Sequence, residues 1–199
     1  ITARKIADQG VQKYPASMGA KLCRDIVKEI DRPSFELQAM KVDGSGRRSI
    51  GLDYKNLTKI HFFSFKYDIK KFLKQNQDYH RMPDWRQVQG LIKAKPANTW
   101  SVDLLRTTDF RTHKFFVTPP KHDPGFYIVV ASMLSTLDES SNIIHGSMMT
   151  FGDLVLSSKI GNSQADLEVH NGNDGSAVKN ASLEIYRIEY KKPSRLEAT

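Results

Sequence analysis

The sequence predicts a mainly β protein: an antiparallel β-sandwich preceded by a short helical segment and followed by a β-hairpin of a second, partial sandwich. Three observations carry that prediction. Apolar residues recur at every second position in several separate stretches, the period of a half-buried strand. Those stretches are divided by turn residues such as Asp43-Gly44-Ser45-Gly46 and Gly172-Asn173-Asp174-Gly175. The stretch Pro119 to Ile160 runs from a Pro-rich corner into the apolar segment Phe126–Met133. A polar loop over Ser135–Asn142 and a returning apolar segment, Ile143–Leu156, complete it. Strand, polar loop, strand is the pattern of a β-hairpin, here placed at the centre of the sandwich.

Residues 1–33 form the helical segment. Ile1–Gln9 reads as a short helix closed near Gly10. Ser17 is the N-cap of a second helix, on which Leu22, Cys23, Ile26, Val27 and Ile30 make one apolar stripe, and Pro33 ends it. Cys23 sits on this stripe and is assigned to packing.

The sandwich is assigned to 34–160. Phe35, Leu37 and Ala39 alternate in the first strand. Ile50, Leu52 and Tyr54 share one face of the second. Lys59–Asp68 is a third, central strand with apolar or aromatic residues on both faces, and His61 on it is a half-buried side chain rather than a ligand. Residues 69–97 differ in composition and read as a partly helical insertion on one sheet edge. Asn98–Leu105 and Thr112–Thr118 are the next strands. Gly146 and Gly152 mark bends that divide the last apolar segment into two shorter strands. In 161–199, Asp166–Asn171 and Ala181–Tyr190 read as a hairpin about the Gly172–Gly175 turn, followed by a frayed tail from Lys191.

Composition narrows the function. Apolar residues make up 39% and charged residues 26%, which argues for a folded chain. The net charge of +8 comes from scattered lysines and arginines with no nucleic-acid motif, so no nucleic-acid partner is assigned. The single cysteine excludes an internal disulfide and a Cys-rich zinc site. No apolar run approaches the roughly 20 residues needed to span a bilayer. Asp103, Asp109, Asp123 and Asp153 are scattered without a visible partner, and the spacing of His80 and Asp84 fits no metal motif. The chain is therefore read as no enzyme, with no catalytic residue, cofactor or metal assigned. The opening ITARKIADQG reads as an internal piece of a longer chain.

Several stretches together resemble one family. They are YPASMGAKLCRDIVKEIDRPSFELQ (Tyr14–Gln38), LDYKNLTKIHFFSFKYD (Leu52–Asp68), PPKHDPGFYIVVAS (Pro119–Ser132) and FGDLVLSSKI (Phe151–Ile160). A final pattern is met by Val169, Asn171, Gly175, Ala181, Leu183, Ile185 and Tyr186. This order is similar to the N-terminal macroglobulin-like region of bacterial alpha-2-macroglobulin-like proteins of the Bacteroides type. The resemblance implies an immunoglobulin-like, macroglobulin-type sandwich within a very long periplasmic or cell-surface (outer-membrane-associated) protein of a Gram-negative bacterium. It also implies a role in trapping or inhibiting proteases, with other domains of the same chain, and proteases, as partners. The thioester pattern of many members has no counterpart around Leu22-Cys23-Arg24-Asp25-Ile26, so this region acts by shape.

The alternative is an independent extracellular carbohydrate- or protein-binding module. Glycans stack on exposed aromatic rings. The candidates are Tyr79 and Trp85 in the insertion, because Trp100 alternates with Val102 and Leu104 and belongs to the core.

Overall fold

A computed structural model describes residues 2–39, 49–75, 85–162, 164–188, 192 and 195–198. The expected turn Asp43–Gly46, and Tyr79, His80 and Asp84, lie outside the described residues.

Two helices open the chain, α1 (Thr2–Lys13) and α2 (Met18–Asp31). The Ser17 hydroxyl accepts the Ala20 amide at 3.1 Å, which starts α2. Arg32, extended ahead of Pro33, ends it. Gly10 does not close α1 but lies within it. A Cβ there would meet Cys23 Sγ at 3.0 Å, so its missing side chain is what lets the helices approach. The expected stripe is only partly buried. Ala20 is the buried residue of α2 and Cys23, Val27 and Ile30 are half-buried, whereas Leu22 and Ile26 face solvent. Of the stripe, it is Cys23 that the helix sets against Gly10 of α1.

Among the described residues the sandwich has seven strands: β1 (Ser34–Ala39), β2 (Ile50–Lys55), β3 (Lys59–Tyr67), β4 (Asn98–Asp103), β5 (His113–Val117), β6 (Gly125–Ser132) and β7 (Ile144–Phe151). They form two antiparallel sheets, β1-β2-β5 and β4-β3-β6-β7. Between them lies one core of Phe35, Ile50, Leu52 and Tyr54 from the first sheet and Ile60, Phe62, Tyr127, Val129 and Met149 from the second. Trp100 packs against this core, stacked on Phe62 at 5.1 Å, as its alternation requires.

The insertion forms α3 (Ile69–Gln75) and α4 (Trp85–Leu91). It covers a face of the sheet rather than an edge. Val88 of α4 is buried with Phe65, Ile128 and Val130 on the outer side of β3 and β6. Gly146 of β7 lies beneath it, where even a Cβ would make only ordinary contact with Val88, at 3.9 Å. The two-faced apolar pattern of β3 thus has a cover on each side.

At Gly152 (φ +149°) the chain leaves the sandwich. The next strand, β8 (Leu154–Ile160), joins no sandwich strand among the described residues and pairs along its whole length with β9 (Ala165–Asn171). The sandwich expected to reach residue 160 therefore has its last strand end at Phe151. β9 thus pairs mainly with β8, and the expected hairpin across the Gly172–Gly175 turn reduces to a bridge between His170 and Ala177, made by the Asn171 amide donating to the Ser176 carbonyl and the Val178 amide to the Val169 carbonyl, both at 2.8 Å. The long strand expected over Ala181–Tyr190 is the short β10 (Ile185–Arg187). It pairs with β11 (Arg195–Ala198), within the segment expected to be a frayed tail.

Candidate interaction surface

Three places follow from this architecture: the ground around Trp85, the strap of residues before β6, and the ribbon β8–β9.

Trp85 opens α4 and is 38% exposed. Its indole Nε1 donates to Glu139 Oε1 at 3.2 Å, and Gln89 Nε2 donates to the same oxygen at 2.6 Å. Beside it Gln89, Ile92, Lys93, Leu137, Asp138 and Glu139 line a shallow cleft of about 430 Å³. The loop that offers Glu139 is organised by Ser132, fully buried at the end of β6, and by Asn142. Asn142 Nδ2 donates to Ser132 Oγ at 2.9 Å and to the carbonyls of Thr136 and Asp138 at 3.2 and 2.9 Å. Its Oδ1 accepts the Leu134 amide at 3.2 Å. The structure gives Trp85 a fixed polar edge and leaves 38% of the residue's surface in solvent. Its expected companion, Tyr79, lies outside the described residues.

The carboxylates considered for catalysis occupy separate places. Asp103 pairs with Lys59 across β3–β4 at 3.2 Å. Asp109 meets His113 at 2.9 Å, and that hydrogen bond holds its carboxyl below the usual range. Asp123 lies on the strap and Asp153 just beyond Gly152. Among the described residues no three His, Cys, Asp or Glu side chains come together as a metal site. Cys23 is half-buried against Gly10, in the packing position expected of it. His61 is half-buried, and burial lowers its pKa.

The strap, residues 118–124, carries a histidine that the sequence reading passed over. His122 Nε2 lies 2.8 Å from the hydroxyl of fully buried Ser64, and Nδ1 lies 2.6 Å from the Pro120 carbonyl. Its ring stacks on Phe151 at 4.0 Å, with Tyr127 and Trp100 edge-on at 5.0 and 6.0 Å. Burial pushes its pKa down. A lone histidine between prolines has no sequence signature for this role, because Ser64 lies 58 positions away.

The ribbon β8–β9 is two-sided. In its register Leu156 faces Val169 and Ile160 faces Ala165, so Leu154, Leu156, Ile160, Leu167 and Val169 share one face. Leu154, Leu156 and Ile160 are 64%, 52% and 80% exposed. The opposite face carries Ser157, Lys159, Glu168 and Asp166. An apolar sheet face of this kind, left open, marks a contact surface. The alternation along β8 was the signal that could have revealed it.

The helical segment is tied down by polar bonds. Arg4 grips Asp31 through two bonds at 2.8 and 2.9 Å, which lowers the Asp31 pKa, and Asn56 donates to the Ile30 carbonyl at 2.8 Å.

Comparison with known proteins places the fold. No protein-family description and no curated protein matches the chain. Among solved structures it is similar to native alpha-2-macroglobulin from Escherichia coli spanning domains NIE-MG1, with a TM-score of 0.53 and 12% identity over 85% of this chain and 88% of that one. It is also similar to the fragment of the same protein spanning domains MG0-NIE-MG1, with a TM-score of 0.53 and 16% identity over 74% of this chain. The match covers 48% of that longer fragment, so the chain spans about half its length. At these identities the likeness is one of fold: the chain has a macroglobulin-type, antiparallel β-sandwich architecture.

Proposed function

We propose that the chain is a non-catalytic module of a large extracytoplasmic alpha-2-macroglobulin-like protein of the Bacteroides type, periplasmic or at the cell surface. Its role there is to position domains of a protease trap. The observation that carries this reading is the open apolar face of β8–β9. A sheet face of this composition is stable when a second layer covers it. Burying Leu154, Leu156 and Ile160 would contribute about 1.5–3 kcal/mol each. Other domains of the same long chain are the natural cover, and the unit boundary then falls at Gly152 rather than at Ile160.

The trap is tested by incubating the parent protein with an endoprotease and following cleavage of a small peptide and of a large protein. Trapping removes activity on the large substrate and spares the small one. Unchanged cleavage of both removes the trapping role. The alternative, a carbohydrate- or protein-binding module, draws support from the partly exposed Trp85 beside its cleft. Affinity-gel retardation by a polysaccharide, lost in Trp85→Ala, would favour it over the first reading.

A further inference from the structure

The strap and the pivot of the ribbon are one assembly. Thr118, Pro120, His122 and Pro124 form one wall of a cleft of about 380 Å³, and Phe151, Gly152 and Asp153 form the other. Pro124 lies against Gly152, where a Cβ would meet it at 4.0 Å. The Asp153 carbonyl in turn accepts the Gly172 amide, which links the pivot to the far end of β9. At the middle of this arrangement sits His122. It is the strap side chain that reaches both β3, through Ser64, and the last residue of β7, through the Phe151 stack.

We propose that His122 is an acid-sensitive latch, holding the strap against the β7–β8 pivot when its ring is neutral and releasing it when the ring takes up a proton.

The geometry explains the direction. In the neutral ring Nδ1–H donates to the Pro120 carbonyl, which leaves Nε2 as the acceptor for the Ser64 hydroxyl. Protonation puts a hydrogen on Nε2 facing that hydroxyl. The hydroxyl of Ser64, fully buried, then loses His122 as the acceptor of its own proton. The charged ring is also stripped of water between Phe151, Tyr127 and Trp100. Contact with their rings offsets part of that cost.

The ionisable groups around the ring are named by element. On the strap, Lys121 and Asp123 are exposed, and the Asp123 carboxylate favours the charged ring. Beyond β7, Asp153 is exposed on the facing wall. From β6 comes the Tyr127 phenol, whose pKa burial raises. The contacts from β3, β4 and β7 are Ser64, Trp100 and Phe151, none ionisable near neutrality.

Burial outweighs the favourable terms and lowers the His122 pKa from 6.5. A histidine depressed in the folded state stabilises the closed latch above the unfolded pKa and loses that contribution as pH falls below it. The equilibrium for release rises by up to tenfold per pH unit for one linked proton.

The test is hydrogen exchange of the chain at pH 7.5 and pH 5.0, corrected for intrinsic exchange chemistry, read on peptides covering 118–124 and 151–156. In the unaltered chain both regions should exchange faster at the lower pH, by a factor that one linked proton caps at roughly 30 between pH 6.5 and pH 5.0, while peptides of β3 and β6 hold steady. His122→Gln keeps an acceptor for Ser64 and cannot titrate in this range, so its strap should be insensitive to pH. An equal acid response in His122→Gln, or none in the unaltered chain, overturns the proposal. Should His122→Gln not fold, the ring resonances of His122 in the unaltered chain decide instead. Strap amide shifts that follow the same midpoint support the latch, and strap shifts that follow a different midpoint overturn it.

Discussion

Asn142 offers a sharp test of how the loop beside Trp85 is held. Its amide reaches Ser132 Oγ and two backbone carbonyls, and its oxygen takes the Leu134 amide. Four bonds at about 0.5–1.5 kcal/mol each, in a half-buried site where water replaces some of them, put the cost of Asn142→Ala at about 2–3 kcal/mol. Asn142→Asp has nearly the same shape and distinguishes packing from donation. It keeps the acceptor for Leu134 but turns a donor into a carboxylate facing the Thr136 and Asp138 carbonyls. It should cost at least as much as the alanine variant. Urea unfolding followed by tryptophan emission measures both, and the loosened Glu139 should also shift the emission of Trp85. If Asn142→Asp unfolds within about 0.5 kcal/mol of the unaltered chain, amide donation is not what organises this loop.

Further outcomes follow from burial. Phe62→Ala, in the middle of the inter-sheet core, should lower stability by about 3–5 kcal/mol in denaturant unfolding. Leu156→Ser, on the open ribbon face, should change the stability of this chain by less than about 0.5 kcal/mol. Gly10→Val should separate α1 from α2, since its branched side chain enters the 3.0 Å gap to Cys23 Sγ, and should raise the alkylation rate of that thiol. The Tyr67 hydroxyl is buried with no hydrogen-bond partner among the described residues, and burial raises its pKa to about 12. A phenol raised in this way stabilises the fold below pH 10 and loses that contribution as pH climbs toward 12. Because the buried hydroxyl has given up water without gaining a partner, Tyr67→Phe should be neutral or stabilising at pH 7; it should also remove the loss of stability between pH 10 and 12 and delete the latest component of an ultraviolet alkaline titration.

The strands that sequence reveals are those whose alternation is set by one buried face. Ile50, Leu52 and Tyr54 announce β2 because a shift by one residue would expose all three. Ser17 marks α2 for an equally local reason, a hydroxyl within reach of its own helix. What stays hidden depends on distant partners. The stripe on α2 cannot say that α1 meets its Cys23 at Gly10. The alternation in β8 gives a strand but not a neighbour, and β9 could have paired forward across its turn or backward as it does. The apolar composition on both faces of β3 called for a second cover, yet nothing in Trp85–Leu91 says that a seven-residue helix supplies it. Trp85 was singled out as a candidate because aromatics in a polar insertion stand out. His122 was missed because its partners are assembled by the sheet.

The placement of α4 gives the sandwich a front and a back. Its helix roofs the β3–β6 sheet, while the β1-β2-β5 sheet carries Phe116 59% exposed over Gly51. Among the described residues, a neighbour arriving from the roofed side meets helix and polar loop, and one arriving from the opposite side meets the strands of β1-β2-β5 with the Phe116 ring. The two approaches to the sandwich are thus chemically unlike, so a single kind of neighbour cannot fit both equally well.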